Sequence, residues 1–177
     1  MPISQINSNS MGTASVLQPA VGANVAGTGP AFSAFPVSNV TISSSVETVV
    51  VNNGEVFDTN GCYNNTGSTV TLNGISVPAY SFAPNVAGYY LITVTLNTES
   101  SVALSRFILL IGTPGGSYRV SDTFVNAGPS LTTGSILLYF NGTSDFASAR
   151  AYITATTPTY SGSFPVSRFS GHLVRAA

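Results

Sequence analysis

The chain contains no lysine and no tryptophan, and only one cysteine (Cys62) and one histidine (His172). Charged residues make up 6% of its 177 positions, against about 25% in ordinary soluble domains. The five basic residues, Arg106, Arg119, Arg150, Arg168 and Arg175, are spread along the sequence. A nucleic-acid binder needs clustered positive charge to neutralise phosphates, and an anionic membrane surface makes the same demand, so neither partner is expected. One cysteine excludes an intrachain disulfide and implies no oxidising compartment. One cysteine and one histidine, far apart, do not make a zinc site. No apolar run reaches membrane-spanning length; Phe107 to Ile111 is five residues. The start, Met1-Pro2-Ile3-Ser4-Gln5, lacks a basic segment followed by an apolar core, so it does not read as a secretory signal. The chain is therefore expected to be made in a cytoplasm and not exported by the usual route.

Catalytic patterns are equally scarce. The six acids, Glu47, Glu55, Asp58, Glu99, Asp122 and Asp145, are scattered, with Glu55 and Asp58 the nearest pair. That argues against calcium, which takes several carboxylates, and against a paired-carboxylate glycosidase, for which there is also no tryptophan to stack on sugar. No Gly-x-Ser-x-Gly elbow supports a serine triad. Gly112-Thr113-Pro114-Gly115-Gly116 lacks the lysine and the following helix of a phosphate-binding loop. His172 is read as a satisfied or solvent-facing strand residue. Asn39, Asn64 and Asn141 begin glycosylation sequons that are more simply read as turns. No catalytic residue, cofactor or metal is expected.

What is present is apolar and hydroxylic. Hydrophobic residues make up 44% of the chain, enough for one domain with a sizeable core. A surface of Ser, Thr, Asn and Gly with a net charge of −1 does little to keep a lone monomer dispersed. A part built into a larger assembly escapes that demand; the plainer alternative is a Ser/Thr-rich extracellular β-protein.

Residues 1–29 carry no charge and no sustained period, with apolar residues spaced at Ile3, Ile6, Met11, Val16, Leu17 and Val21. Such a segment cannot offset its own ordering entropy. It is read as an anchoring arm, with those residues as pegs on a partner. From Pro30 to Ala177 short apolar or alternating runs recur between turn clusters. Candidate strands are Ala31–Phe35, Thr48–Val51, Glu55–Phe57, Thr69–Leu72, Tyr89–Leu96, Ser101–Ile111, Tyr118–Phe124, Ser135–Phe140, Ala147–Thr154 and Phe169–Val174. Asn-Gly pairs at 53–54, 73–74 and 141–142 signal tight turns. With no amphipathic helix beyond two turns and no fixed repeat, the pattern is an all-β sandwich or barrel.

The run Phe82 to Leu96 anchors this reading. Pro84 delays the strand, and Gly88 closes the turn, expected at positive φ. Tyr90, Ile92, Val94 and Leu96 then face a core, while Tyr89, Leu91, Thr93 and Thr95 face a second sheet, a neighbouring subunit or solvent. Apolar character on both faces predicts a central strand.

The landmarks Ala31-Phe32, Phe82-Ala83-Pro84 with Gly88-Tyr89-Tyr90, and Phe169-Ser170-Gly171-His172-Leu173 resemble the globular head of complement C1q and its relatives. The resemblance covers residues 30–177. It departs at Asn141-Gly142, where the family often has Gly-Asp, and in the lack of a collagen-like repeat before residue 30. It implies a ten-stranded antiparallel jelly-roll sandwich, shared with tumour-necrosis-factor-like proteins and packed as a homotrimer. Tyr89, Leu91, Phe107, Leu109 and Tyr139 are the candidates for that trimer interface; the alternative is that they fill the core of one subunit. Some relatives bind calcium at the trimer apex, a site that does not map onto this sequence. The opening Ser4-Gln5-Ile6-Asn7-Ser8-Asn9-Ser10 is similar to the beginnings of tailed-bacteriophage surface proteins. Together these imply a non-enzymatic virion protein. The first expectation is a capsid decoration protein whose arm holds a major capsid protein or tail component. The alternatives are a tail-fibre tip binding host surface glycans through apex loops such as 112–117 and 141–146, and a secreted lectin-like module.

Overall fold

The computed structural model describes residues 29–99, 105–124 and 128–177. The arm residues Ile3, Ile6, Met11, Val16, Leu17 and Val21 lie outside them, as do the first positions of the strand expected from Ser101. The described residues form strands and no helix. In chain order the strands are β1 (Ala31–Phe35), β2 (Val40–Thr41), β3 (Thr48–Val49), β4 (Gly54–Asp58), β5 (Tyr63–Asn64), β6 (Val70–Leu72), β7 (Ile75–Val77) and β8 (Ser81–Phe82). They continue with β9 (Gly88–Thr98), β10 (Arg106–Thr113), β11 (Gly116–Phe124), β12 (Ser130–Phe140), β13 (Ala147–Thr154), β14 (Thr159–Tyr160) and β15 (Arg168–Ala176). All ten expected runs are there. The five additional strands, β2, β5, β7, β8 and β14, are two or three residues long, too short for a period of two to declare itself.

The strands form an antiparallel sandwich of jelly-roll type. The first sheet runs β2-β14-β9-β15-β1-β4, with β12 on the other edge of β9. The second runs β11-β10-β13-β8-β5, with β3 on β13. β6 and β7 form a separate hairpin. As expected, β9 is central: it pairs with β12 along one edge and with β15 along the other. Its burial alternates strictly, with Tyr90, Ile92, Val94 and Leu96 buried and the residues between them not.

The phenylalanines of the three landmark motifs, with Tyr90, meet in the core. The rings of Phe32 and Phe82 stack at 4.3 Å, and Phe169 meets Phe32 edge-on at 4.9 Å. Tyr63 stacks on Phe32 at 4.9 Å, and Tyr90 meets Phe82 and Phe140 edge-on. Buried phenols need partners. Tyr63 donates to the Asn52 carbonyl at 2.9 Å, and Tyr90 to the Val86 carbonyl at 2.8 Å.

Turns follow local chemistry with two corrections. Asn73 and Gly74 both hold positive φ, 51° and 80°, in the turn between β6 and β7. Gly54 opens β4 and closes no hairpin, because β3 pairs with β13 and β4 with β1. Gly88 does not hold a positive φ. It is required for a different reason: a Cβ there would lie 2.5 Å from the Arg175 carbonyl oxygen of the adjoining strand. The sequon asparagines are spent on hydrogen bonds within the fold. Asn64 is buried and its amide donates to the carbonyls of Ser68, Val77 and Pro78. Asn141 accepts from the Thr143 and Ser144 amides, and Asn39 from that of Gly162.

Candidate functional site

Registration across the first sheet arranges its outward side chains in rows. Tyr139 lies beside Tyr89, Leu137 beside Leu91, Ser135 beside Thr93 and Thr133 beside Thr95. The two tyrosine rings meet edge-on at 5.4 Å, while the hydroxyl pairs bond at 2.9 Å and 2.8 Å. β12 and β9 thus present a stripe that is apolar at one end and hydroxylic along its middle. Its apolar end is bare: Leu137 is 53% exposed, Tyr139 50% and Tyr89 44%. Leu131, at the other end of β12, is exposed as well. Neighbouring β11 adds exposed Tyr118, which lines a pocket with Tyr139, whereas its exposed Phe124 lies under the Arg106 guanidinium on the second sheet. β11 lies close against β12, where a Cβ on Gly134 would fall 2.6 Å from the Val120 carbonyl oxygen. A contiguous exposed patch of aromatic and aliphatic side chains is what an association surface looks like.

Of the five interface candidates, the structure brings Tyr89, Leu91 and Tyr139 together on this stripe. Phe107 and Leu109 are not there. Both are fully buried in the core on the inward face of β10, so the subunit offers neither to a neighbour. Their sequence signal misled because β10 is apolar on both faces: Ile108 and Leu110, which alternate with them, point outward. Sequence reasoning missed Leu137, whose register beside Leu91 is set by the β12–β9 ladder and not by local spacing.

The loops 112–117 and 141–146 also come together. With the end of β12 they enclose a pocket of about 190 Å³ lined by Thr113, Pro114, Tyr118, Tyr139, Asp145 and Phe146 among others. Its position follows from strand pairing. Phe140 pairs with Gly88, and Gly88 with Ala176. Leu173 donates to the Pro30 carbonyl, and Ala177 to that of Ala87. The pocket therefore sits at the end of the sandwich where residue 29 enters the fold.

The outward face of the second sheet is different in kind. Arg106 reaches Asp122 through Nε and Nη2 at 3.0 Å and 2.8 Å, and Arg119 joins the same carboxylate at 2.8 Å. Arg150 donates to Glu47 at 2.9 Å, and the Ser117 hydroxyl donates to the same oxygen at 2.6 Å. Every ion pair among the described residues is on this face. No group of three or more metal-ligating side chains occurs among the described residues. His172 is exposed on β15, and Cys62 is buried, its thiol pushed up by that burial.

No protein-family model matches the chain, and no curated protein matches it in sequence. Solved structures match its fold. Murine APRIL superposes with a TM-score of 0.54 at 11% identity, over 82% of this chain and 99% of that one. The Eiger TNF of S. frugiperda gives 0.52 at 11% identity, over 86% and 96%. The PRD1 vertex protein P5 gives 0.51 at 15% identity, over 84% and 99%. The fold is thereby shown as a TNF-like jelly roll. At these identities the likeness is one of fold.

Proposed function

We propose that this is a non-enzymatic virion surface protein: a homotrimeric jelly-roll head held on a capsid or tail by residues 1–29, and in first place a capsid decoration protein of a tailed bacteriophage. Its location would be the virion, after synthesis in the host cytoplasm. The observation that carries the reading is the bare stripe of Tyr89, Leu137 and Tyr139, with half-buried Leu91 among them, on a protein with few charged residues. Such a stripe in water favours association, because covering it removes apolar area from solvent. Two further points support it. One neighbour in fold is itself called a vertex protein. The arm enters at one end of the sandwich, so a head fixed through it would project the opposite end outward. The fibre-tip alternative is weakened, since the two loops it relied on lie at the arm's end.

The test is deletion of residues 2–29. The truncated head is expected to keep the solution mass of a trimer and to lose its place on particles. A truncated head that still coats particles at full occupancy removes the anchoring role. A full-length chain that is monomeric by light scattering removes the trimer.

A further inference from the structure

Beyond the apolar stripe, the outward face of the first sheet changes character on β15, β1 and β4. The geometry points to a binding site for a carboxylate-bearing sugar in a groove of about 220 Å³ between these strands. That volume is below the roughly 300–1,000 Å³ of pockets for drug-sized ligands, and suits a single ring.

The groove is built from a row of hydroxyls. Register places Thr93 beside Ser170, and Ser170 beside Ser33. Gly171 forms the floor, where a Cβ would press on Ile92 and Phe32. Two residues before Ser170 on the same outward side comes Arg168, and two residues after it comes His172, so a guanidinium and an imidazole flank the hydroxyls. Arg168 is held in place: its guanidinium lies 4.5 Å over the Phe164 ring, which meets Phe35 edge-on at 5.3 Å. It makes no ion pair among the described residues, unlike the three arginines of the second sheet. Phe57 and Leu91 form apolar walls.

No acid lines this groove. Arginine supplies a fork of donors suited to a carboxylate, and imidazole and hydroxyls add further donors. The exposed Phe57 ring offers a face for the C–H side of a sugar. An acidic sugar satisfies all three features at once, whereas a neutral one leaves Arg168 without a counter-charge. The groove shares Leu91 and Thr93 with the margin of the β9–β12 stripe, while Arg168, Ser170, His172 and Ser33 lie on β15 and β1 outside it, so the site does not depend on the anchoring reading.

The experiment titrates the full-length protein with D-glucuronate, N-acetylneuraminate, D-glucose and N-acetyl-aspartate amide at millimolar concentrations, followed by saturation-transfer NMR. Both acidic sugars are expected to bind and D-glucose not to. Arg168→Gln should weaken binding roughly tenfold or more, as loss of a charge-assisted pair does. His172→Gln should weaken it less. Arg175→Gln, on the same strand but outside the groove, should leave it unchanged, and circular dichroism checks that each variant is folded. No signal from either acidic sugar overturns the proposal, as does equal binding of D-glucose or undiminished binding by a folded Arg168→Gln. Tighter binding of N-acetyl-aspartate amide than of either sugar replaces the sugar with an acidic peptide and overturns it too.

Discussion

On the second sheet, Ile108 and Leu110 point away from the core and yet are only 4% and 9% exposed. On the first sheet, Leu137 and Tyr139 also point away from the core, and half of each is bare. Register explains the difference. Ile108 lies between Tyr152 and Asp122, and Leu110 between Arg150 and Arg119. Long amphipathic side chains lay their stems over such residues while their heads pair with Asp122 and Glu47. Leu137 pairs with Leu91 and Tyr139 with Tyr89, and no ion-paired arginine among the described residues lies over either. The charged residues are few, and three of the five arginines are spent on one face. Apart from Phe124 at its edge, the second sheet covers its outward apolar residues with its own side chains, and the first leaves its stripe bare.

The largest effect should come from charging the bare stripe. Leu137→Arg or Leu91→Arg should turn the assembly into a folded monomer, read by light scattering beside circular dichroism. Tyr152→Arg, on the covered side, should leave the mass unchanged. If Leu137→Arg keeps the native mass while Tyr152→Arg dissociates the protein, the two faces have been assigned the wrong way round. Gly88→Val comes next. Its side chain would meet backbone, the Arg175 carbonyl, and cannot be accommodated by a rotamer change. A loss of about 2–4 kcal/mol is expected by denaturant unfolding; an unchanged midpoint would show that β9 and β15 separate at that end at little cost.

Where local pattern governs, the sequence was informative. The two-residue alternation of Tyr89 to Leu96 placed the right side chains in the core. The landmark phenylalanines were legible because Phe32, Phe82 and Phe169 pack on one another. What depends on register was not legible. Leu137 meets Leu91 across 46 positions of sequence only because the β12–β9 ladder is continuous from Ser130 to Phe140. The strand was expected to begin at Ser135; in the fold it begins at Ser130, and Gly134 is the place where β11 comes close. Gly88 was legible as a necessary glycine, with the wrong cause, because the Arg175 carbonyl that demands it is distant in sequence. The groove around Ser170 was hidden for the same reason: Ser33, Thr93 and Ser170 become one row only after three strands pair.

Gly112→Ala probes the covered face more gently. A Cβ there would fall 2.2 Å from Nε of Arg150, the mobile part of a long side chain and not backbone. The guanidinium should move off Glu47, costing about 0.5–1 kcal/mol, the range of a partly exposed ion pair. A loss as large as that of Gly88→Val would mean that Arg150 is far more tightly held than its pairing implies.

The smallest effects concern acid, and they too divide the faces. On the second sheet, the Ser117 hydroxyl, with Arg150 helping, holds Glu47 below the usual carboxylate range against some desolvation. Arg106, followed by Arg119, does the same for Asp122. On β4, the edge strand of the first sheet, Glu55 is pushed up by partial burial and then by the charge of Asp58. The signs are opposite. Glu47 and Asp122 hold their protons less tightly folded than unfolded, so their contribution is present above the ordinary carboxylate pKa and lost as pH falls through the lowered folded values. Glu55 binds its proton more tightly when folded, so it disfavours the fold above its raised pKa and ceases to do so in acid. Melting temperature followed from neutral pH to below about pH 4 should therefore fall. Asp122→Asn should start lower and flatten that fall, while Glu55→Gln should start slightly higher and steepen it. An acid limb that Asp122→Asn leaves unchanged would show that the paired face contributes nothing to the pH dependence, and the contrast in charge between the faces would then be one of geometry without energetic consequence.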